Sequence, residues 1–285
     1  MNEGRWDERG WQEYEVVSFA QFHKVLEDVQ RQLPVQWLYG QVVYRGQEKA
    51  EWDLKPGIGR HLQTYKDSGR DKNHLLADEW RMVQDFRRQA GAYLGRMPEE
   101  GWETWVLAQH HGIPTRLLDW THSPLAALYF AVERPSKDDD SAVWLLYLPT
   151  QFIPSPDVHL PKDSNIDPSD AERPHPMEVE EVRGYMPGHE VPRVRAQLGV
   201  FTVHPCPTEP LQGANLPDRA QLYKVVVKNC ARDQIKFTLA NYGIFKQTLF
   251  PDLAGLAESI RWTKIDALEN PPREPPTEGF VSPPP

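Results

Sequence analysis

Gln109–Ala131 reads QHHGIPTRLLDWTHSPLAALYFA. Two adjacent histidines, a glycine, two prolines, an arginine, an aspartate and small hydroxyls stand among apolar runs, more polar groups than packing alone requires. His110–Gly112 has the character of a helix end and turn. Thr115–Thr121 then predicts a buried strand, and Ser123-Pro124 the cap and first residue of a new helix. A strand-to-helix junction of this kind leaves backbone N–H groups beside small hydroxyls, which suits an anionic or nucleotide ligand. The site is expected here.

Outward from this stretch, Ser18 with Gln21 three places on predicts a capped helix whose stripe is Phe19, Phe22, Val25, Leu26, Val29 and Leu33. A strand is expected at Trp37–Tyr44, running into Arg45-Gly46-Gln47. A long helix is expected over Asn73–Leu94 with Leu76, Trp80, Val83, Phe86 and Tyr93 on its buried face, and a short one near Trp102–His110. Lys137-Asp138-Asp139-Asp140 marks a solvated turn before an apolar strand, Ala142–Leu148. Proline-rich Pro149–Pro192 suggests a long surface excursion. Strands at Leu198–His204 and Leu222–Lys228 follow, then helices near Arg232–Tyr242, with Gly243 placed for a left-handed cap, and from Asp252 onward. Residues 1–17 are expected to be flexible, 18–262 to form one domain, and the proline-rich 263–285 to be disordered. Helices that need not alternate with strands favour an α+β fold: a mixed, largely antiparallel sheet flanked by N-terminal helices.

The 285 residues carry 32 basic and 41 acidic side chains, a net charge of −9, so a strongly basic nucleic-acid surface is not expected, although a local basic groove and a nucleic-acid partner stay open. Cys206 and Cys230 match no zinc spacing, and the expected metal set is none. A polar N-terminus and the lack of a long apolar run point to a cytoplasmic protein without a membrane partner.

Tyr44-Arg45-Gly46-Gln47 ends a strand with a guanidinium, a glycine and an amide. Arginine can clasp a phosphate through two parallel hydrogen bonds. The structural alternative is a surface hairpin. Arg60, after the Pro56-Gly57 turn, is a second candidate cation aimed back at the first. His110 and His111 point about 100° apart on a helix, so one can reach a site while the other caps it. Asp119, inside an apolar strand, is expected to pair with Arg116 or another arginine, as a salt bridge or as a general base. Thr121 and Ser123 could bind ligand oxygens or cap the next helix. Tyr129 stands beside Phe130, which is assigned to the core. Phe250-Pro251-Asp252-Leu253 has the form of a helix entry.

YRGQ followed by W-x-L-x-P-x-x-x-R and QHHGIPTRLLDWTHSPLAALYFA resembles the FRG-domain family, mainly bacterial proteins, as do Gln197-x-Gly199-x-Phe201 and Tyr242-Gly243-Ile244 with Leu249–Leu253. The resemblance spans about Phe19–Ile260. A weaker similarity is to the ADP-ribosyltransferase superfold. It implies NAD as the suspected substrate, with Arg45 on its phosphates or ribose and Gly46 on the nicotinamide amide. Thr121 and Ser123 would line the pocket and Tyr129 would stack on the ring. The superfold's catalytic glutamate falls near Gln197, a neutral amide that stabilises a cationic sugar far less well than a carboxylate does. Glu190 or Asp119 could substitute. Three functions remain: an NAD-consuming transferase or glycohydrolase acting as toxin or defence effector on an unidentified acceptor, a non-catalytic nucleotide or ADP-ribose binder, and a phosphodiesterase or nuclease using His110 or His111 with Asp119.

Overall fold

The structure is a computed structural model and describes residues 4–33, 42–94, 101–134, 138–149, 152–154, 174–188 and 192–269. Its strands are β1 (Arg5–Trp6), β2 (Gln12–Val16), β3 (Val42–Gln47), β4 (Leu117–Thr121), β5 (Ser141–Tyr147), β6 (Ile153–Pro154), β7 (Arg183–Met186), β8 (Gly199–Val203) and β9 (Gln221–Val227). They form one sheet in the order β1-β2-β9-β5-β3-β4-β8-β7-β6. Only the β2–β9 and β6–β7 pairs are parallel among the described residues. The helices are α1 (Phe19–Gln32), α2 (Leu62–Asp67), α3 (Lys72–Ala90), α4 (Trp102–His110), α5 (Pro124–Val132), α6 (Pro192–Ala196), α7 (Arg232–Asn241), α8 (Lys246–Leu249) and α9 (Leu253–Arg261), which runs on into a π turn, Trp262–Asp266. The mixed, largely antiparallel sheet agrees with the sequence expectation.

β5 lies inside the sheet, between β9 and β3, and is buried on both faces, as a continuous apolar run requires. Its Val143, Leu145 and Tyr147 pack with α1, α5 and α7, while Ala142, Trp144 and Leu146 face Trp11, Leu54 and Leu211 across the sheet. α5 is apolar all round and almost wholly buried, so it can be a helix only inside a core. Ser18 caps α1 by accepting from Gln21 N at 3.2 Å, and Phe22, Val25, Leu26 and Val29 are its buried stripe. Asp252 caps α9, and Gly243 takes φ +79° after α7.

Three expectations need correction. Gln12–Val16, assigned to a flexible N-terminus, is a strand paired in parallel with β9. Tyr14 and Val16 are buried while Glu15 is exposed and Glu13 meets Lys224 at 3.0 Å, so the acidic residues hide an alternating strand pattern. The proline-rich excursion contributes β7, whose Tyr185 stacks on Trp102 at 4.6 Å and donates to Glu103 Oε1 at 2.7 Å. α3 buries Leu75, Glu79, Val83 and Ala90, while Trp80 and Tyr93 are exposed. The face is shifted by about one residue because a glutamate sits on it. The first part of the strand expected at Trp37–Tyr44, Lys137, residues 155–173, Glu190 and the tail from residue 270 lie outside the described residues.

A polar chain crosses the sheet interior. Trp120 Nε1 donates to Thr202 Oγ1 at 2.8 Å, and that hydroxyl lies 2.9 Å from His204 Nε2. The Thr202 hydroxyl thus links the indole to the buried His204 imidazole, which is neutral at pH 7. Burial, with Arg45 and Arg116 nearby, pushes the His204 pKa down to about 3. The unfolded chain binds this proton near pH 6.5, so the stabilisation is complete above that value and is lost as pH falls toward 3, at about 1.4 kcal/mol per unit. Urea denaturation at pH 7 and pH 5 should show a loss that shrinks by about 2 kcal/mol in His204→Gln. An equal loss in both proteins would place the titrating group elsewhere.

Candidate functional site

β3 and β4 pair only at Tyr44↔Thr121, and beyond that point the two strands part. The Arg45 side chain fills the split. Its Nη1 donates to the Asp119 carbonyl at 2.7 Å and stands 3.5 Å from the carboxylate. A cleft of about 390 Å³ opens here, within the size range of small-molecule sites. Arg45 is 17% exposed, and its Nε has no partner among the described residues. Burial first, with the charge of Arg60 adding to it, pulls its pKa below the ordinary value, and Asp119 opposes the shift. An anion in the cleft would relieve that cost.

Asp119 is the outward-facing residue of an otherwise buried strand, with its side chain 60% exposed. The partner is Arg45, not Arg116. Its Oδ1 accepts from Gln109 Nε2 at 2.9 Å, and Gln109 Oε1 accepts in turn from Thr115 Oγ1. A buried hydroxyl thus orients an amide, which orients an exposed carboxylate. His110, at the end of α4, lines the cleft, and burial, helped by the charges of His111 and Arg193, lowers its pKa. Arg60 lines the cleft too, with Nε held by Lys55 O at 3.0 Å.

Several expected ligand residues do other work. Gly46 borders the cleft, but a Cβ there would overlap the Ala127 carbonyl oxygen and stand 2.6 Å from Ala131 N, so this glycine lets α5 lie against β3. Gln47 is buried with both ends of its amide committed, to Asp53 O and Trp144 Nε1, and Tyr44 is a core residue. Thr121 reaches the cleft wall but donates to Gln197 O at 2.5 Å and accepts from Ser123 N at 2.9 Å. Ser123 caps α5 through Ala126 N, so the hydroxyls satisfy the junction's own N–H groups and do not present them to a ligand. His111 lies outside the cleft, stacked on Phe86 at 6.0 Å. Arg116 is buried against Glu79, away from the cleft. Tyr129 and Phe130 exchange the places expected of them: Tyr129 is 3% exposed in the core, and Phe130 lines the cleft. Gln197 lines it as well, with Nε2 tied to Leu249 O at 3.1 Å.

The sequence reading missed Arg193, Glu133, Trp52 and the cleft role of Phe250. Arg193 joins Asp252 at 3.0 Å and lies over the Phe250 ring at 4.6 Å. The phenylalanine was in view only as part of a helix entry, and the proline-rich surroundings of Arg193 carried no signal. No group of three or more His, Cys, Asp or Glu suited to a metal, and no helix long and apolar enough to cross a membrane, occurs among the described residues.

Residues 40–140 match the family model of the FRG domain. This FRG stretch supplies Arg45, Arg60, His110, Asp119 and Phe130, whereas Arg193, Gln197 and Phe250 reach the cleft from the chain beyond it. No curated protein and no solved structure matches the chain.

Proposed function

We propose that the cleft binds an NAD-like nucleotide and cleaves its nicotinamide–ribose bond, with Asp119 as the working carboxylate. What carries this reading is the pairing of Arg45 with an exposed, oriented Asp119 where the sheet splits. Arg45, Arg60 and Arg193 supply positive charge for phosphates, and Phe130, Phe250 and Trp52 supply aromatic surface for bases. Phe130 takes the stacking part that the ADP-ribosyltransferase resemblance assigned to Tyr129.

In this mechanism the C1′–N bond breaks and its electron pair moves onto the ring nitrogen, which quenches the pyridinium charge. The cationic ribosyl group left behind is stabilised by the Asp119 carboxylate. Water or an acceptor hydroxyl then bonds to C1′ and gives its proton to His110, whose depressed pKa keeps it unprotonated and free to accept at pH 7. Gln197 serves as a positioning residue, since its amide holds Leu249 and its carbonyl holds Thr121.

The test is nicotinamide release from NAD by the purified chain. Release should fall about a hundredfold in Asp119→Asn, the usual order for losing one group that stabilises developing charge. Arg45→Ala should weaken NAD binding by about 1.5–3 kcal/mol. Saturable binding without release would reduce the function to nucleotide binding, a reading favoured by how fully Arg45 and Gln109 already compensate Asp119. Unchanged binding in Arg45→Ala would reject the cleft as the nucleotide site.

A further inference from the structure

A second cavity, of about 330 Å³, lies on the other side of Glu133, between α5, α7, α9 and the π turn. Glu133 lines both spaces. Lys246 faces two of the cavity's carboxylates, Glu133 and Glu258, and Arg261 pairs with the third, Asp266, at 3.3 Å. Lys246, Arg261 and Arg134 each face an acid. Lys236 does not. Its ammonium gives a hydrogen bond to the Glu133 backbone carbonyl at 2.5 Å and has no ion-pair partner among the described residues. It stands 5.3 Å from the centre of the Trp262 ring. Burial holds its pKa below the ordinary lysine value.

Two further observations mark this as a place for a ligand. Tyr129, 3% exposed, lines the cavity and makes no hydrogen bond among the described residues, so its hydroxyl is available to an occupant of the cavity. Burial and the nearby Glu133 and Glu258 raise its pKa, so it stays a donor. Trp262 opens a π-helical turn, a rare geometry found frequently at functional sites.

We propose that this cavity is a second binding site, for a small planar aromatic carboxylate. The carboxylate would pair with the Lys236 ammonium, which has no direct ion-pair contact among the described residues, and accept from the Tyr129 hydroxyl, and the ring would lie against Trp262. The site stands independently of the nucleotide cleft.

Calorimetric titration of the full chain with nicotinate, benzoate and anthranilate tests it, with nicotinamide as the uncharged isostere of the first. At least one carboxylate should bind saturably, with nicotinamide at least tenfold weaker than nicotinate if nicotinate is that ligand. Lys236→Met, which keeps the aliphatic stem, and Trp262→Leu should each weaken binding at least tenfold while circular dichroism stays unchanged, and Arg45→Ala should leave it as it is. Should Lys236→Met fail to fold, Trp262→Leu gives the same readout. Absence of binding by all three carboxylates, equal binding of nicotinate and nicotinamide, or loss of binding in Arg45→Ala would each overturn the proposal.

Discussion

Glu79→Ala should lower the stability of the fold by about 3–5 kcal/mol, the range for stripping one partner from a buried ion pair. Glu79 is 0% exposed and takes four hydrogen bonds from Arg116, through the backbone N at 2.6 Å, Nε at 3.3 and 3.2 Å, and Nη2 at 2.8 Å. Burial pushes the glutamate carboxyl up from its usual value, against the pull of Arg116. Removing the carboxylate strands a guanidinium whose side chain is 4% exposed, next to Trp105. Its backbone N–H, at the entry to β4, loses its acceptor too. The double variant Glu79→Leu, Arg116→Met should recover most of the loss, because a well-packed apolar pair can replace a buried ionic one. Equilibrium denaturation of the three proteins decides the matter. A loss below about 1 kcal/mol in Glu79→Ala would mean that the pair is solvated and does not hold α3 against the sheet.

The same pair shows where sequence reasoning loses its grip. Apolar stripes and turn chemistry were legible: α1 with its Ser18 cap, β5 as a continuous apolar run, and Ser123 as a cap are where periodicity puts them. α3 was phased wrongly because a buried glutamate counts as polar in any pattern, and its partner stands 37 residues away. Arg116 and Arg45 look alike in the chain, yet one pairs with an α3 glutamate and the other opens the cleft, a difference set only by which strand neighbours part. β2 was obscured by Glu13 and Glu15, and the partner of Glu13, Lys224, lies on another strand. Of the site, the meeting of Arg45, Arg60, His110, Asp119 and Thr121 around one cleft was legible from the motifs. The Tyr129–Phe130 inversion was not, since adjacent helical residues point about 100° apart and the phase of a helix that is apolar all round has no polar face to declare it.

Gly46→Ala separates packing from ligand contact at the one position where both have a claim. The added methyl would overlap the Ala127 carbonyl oxygen, and it would come within 2.9 Å of Phe130 Cβ. These are largely backbone atoms of a buried helix and cannot swing aside as a flexible side chain could. Overpacking of this kind costs about 1–3 kcal/mol and more where the backbone must move. We expect about 3 kcal/mol here, with α5 displaced from β3. Phe130 and Glu133 ride on or directly follow that helix and form one wall of the cleft, so nucleotide binding should weaken along with stability. Denaturation and NAD titration on the same sample provide the two readouts. A variant with wild-type stability that has lost only its affinity would show that the glycine serves the ligand directly, as the nicotinamide contact requires. A variant destabilised in step with its lost affinity would show that the glycine shapes the cleft by letting the helix come close.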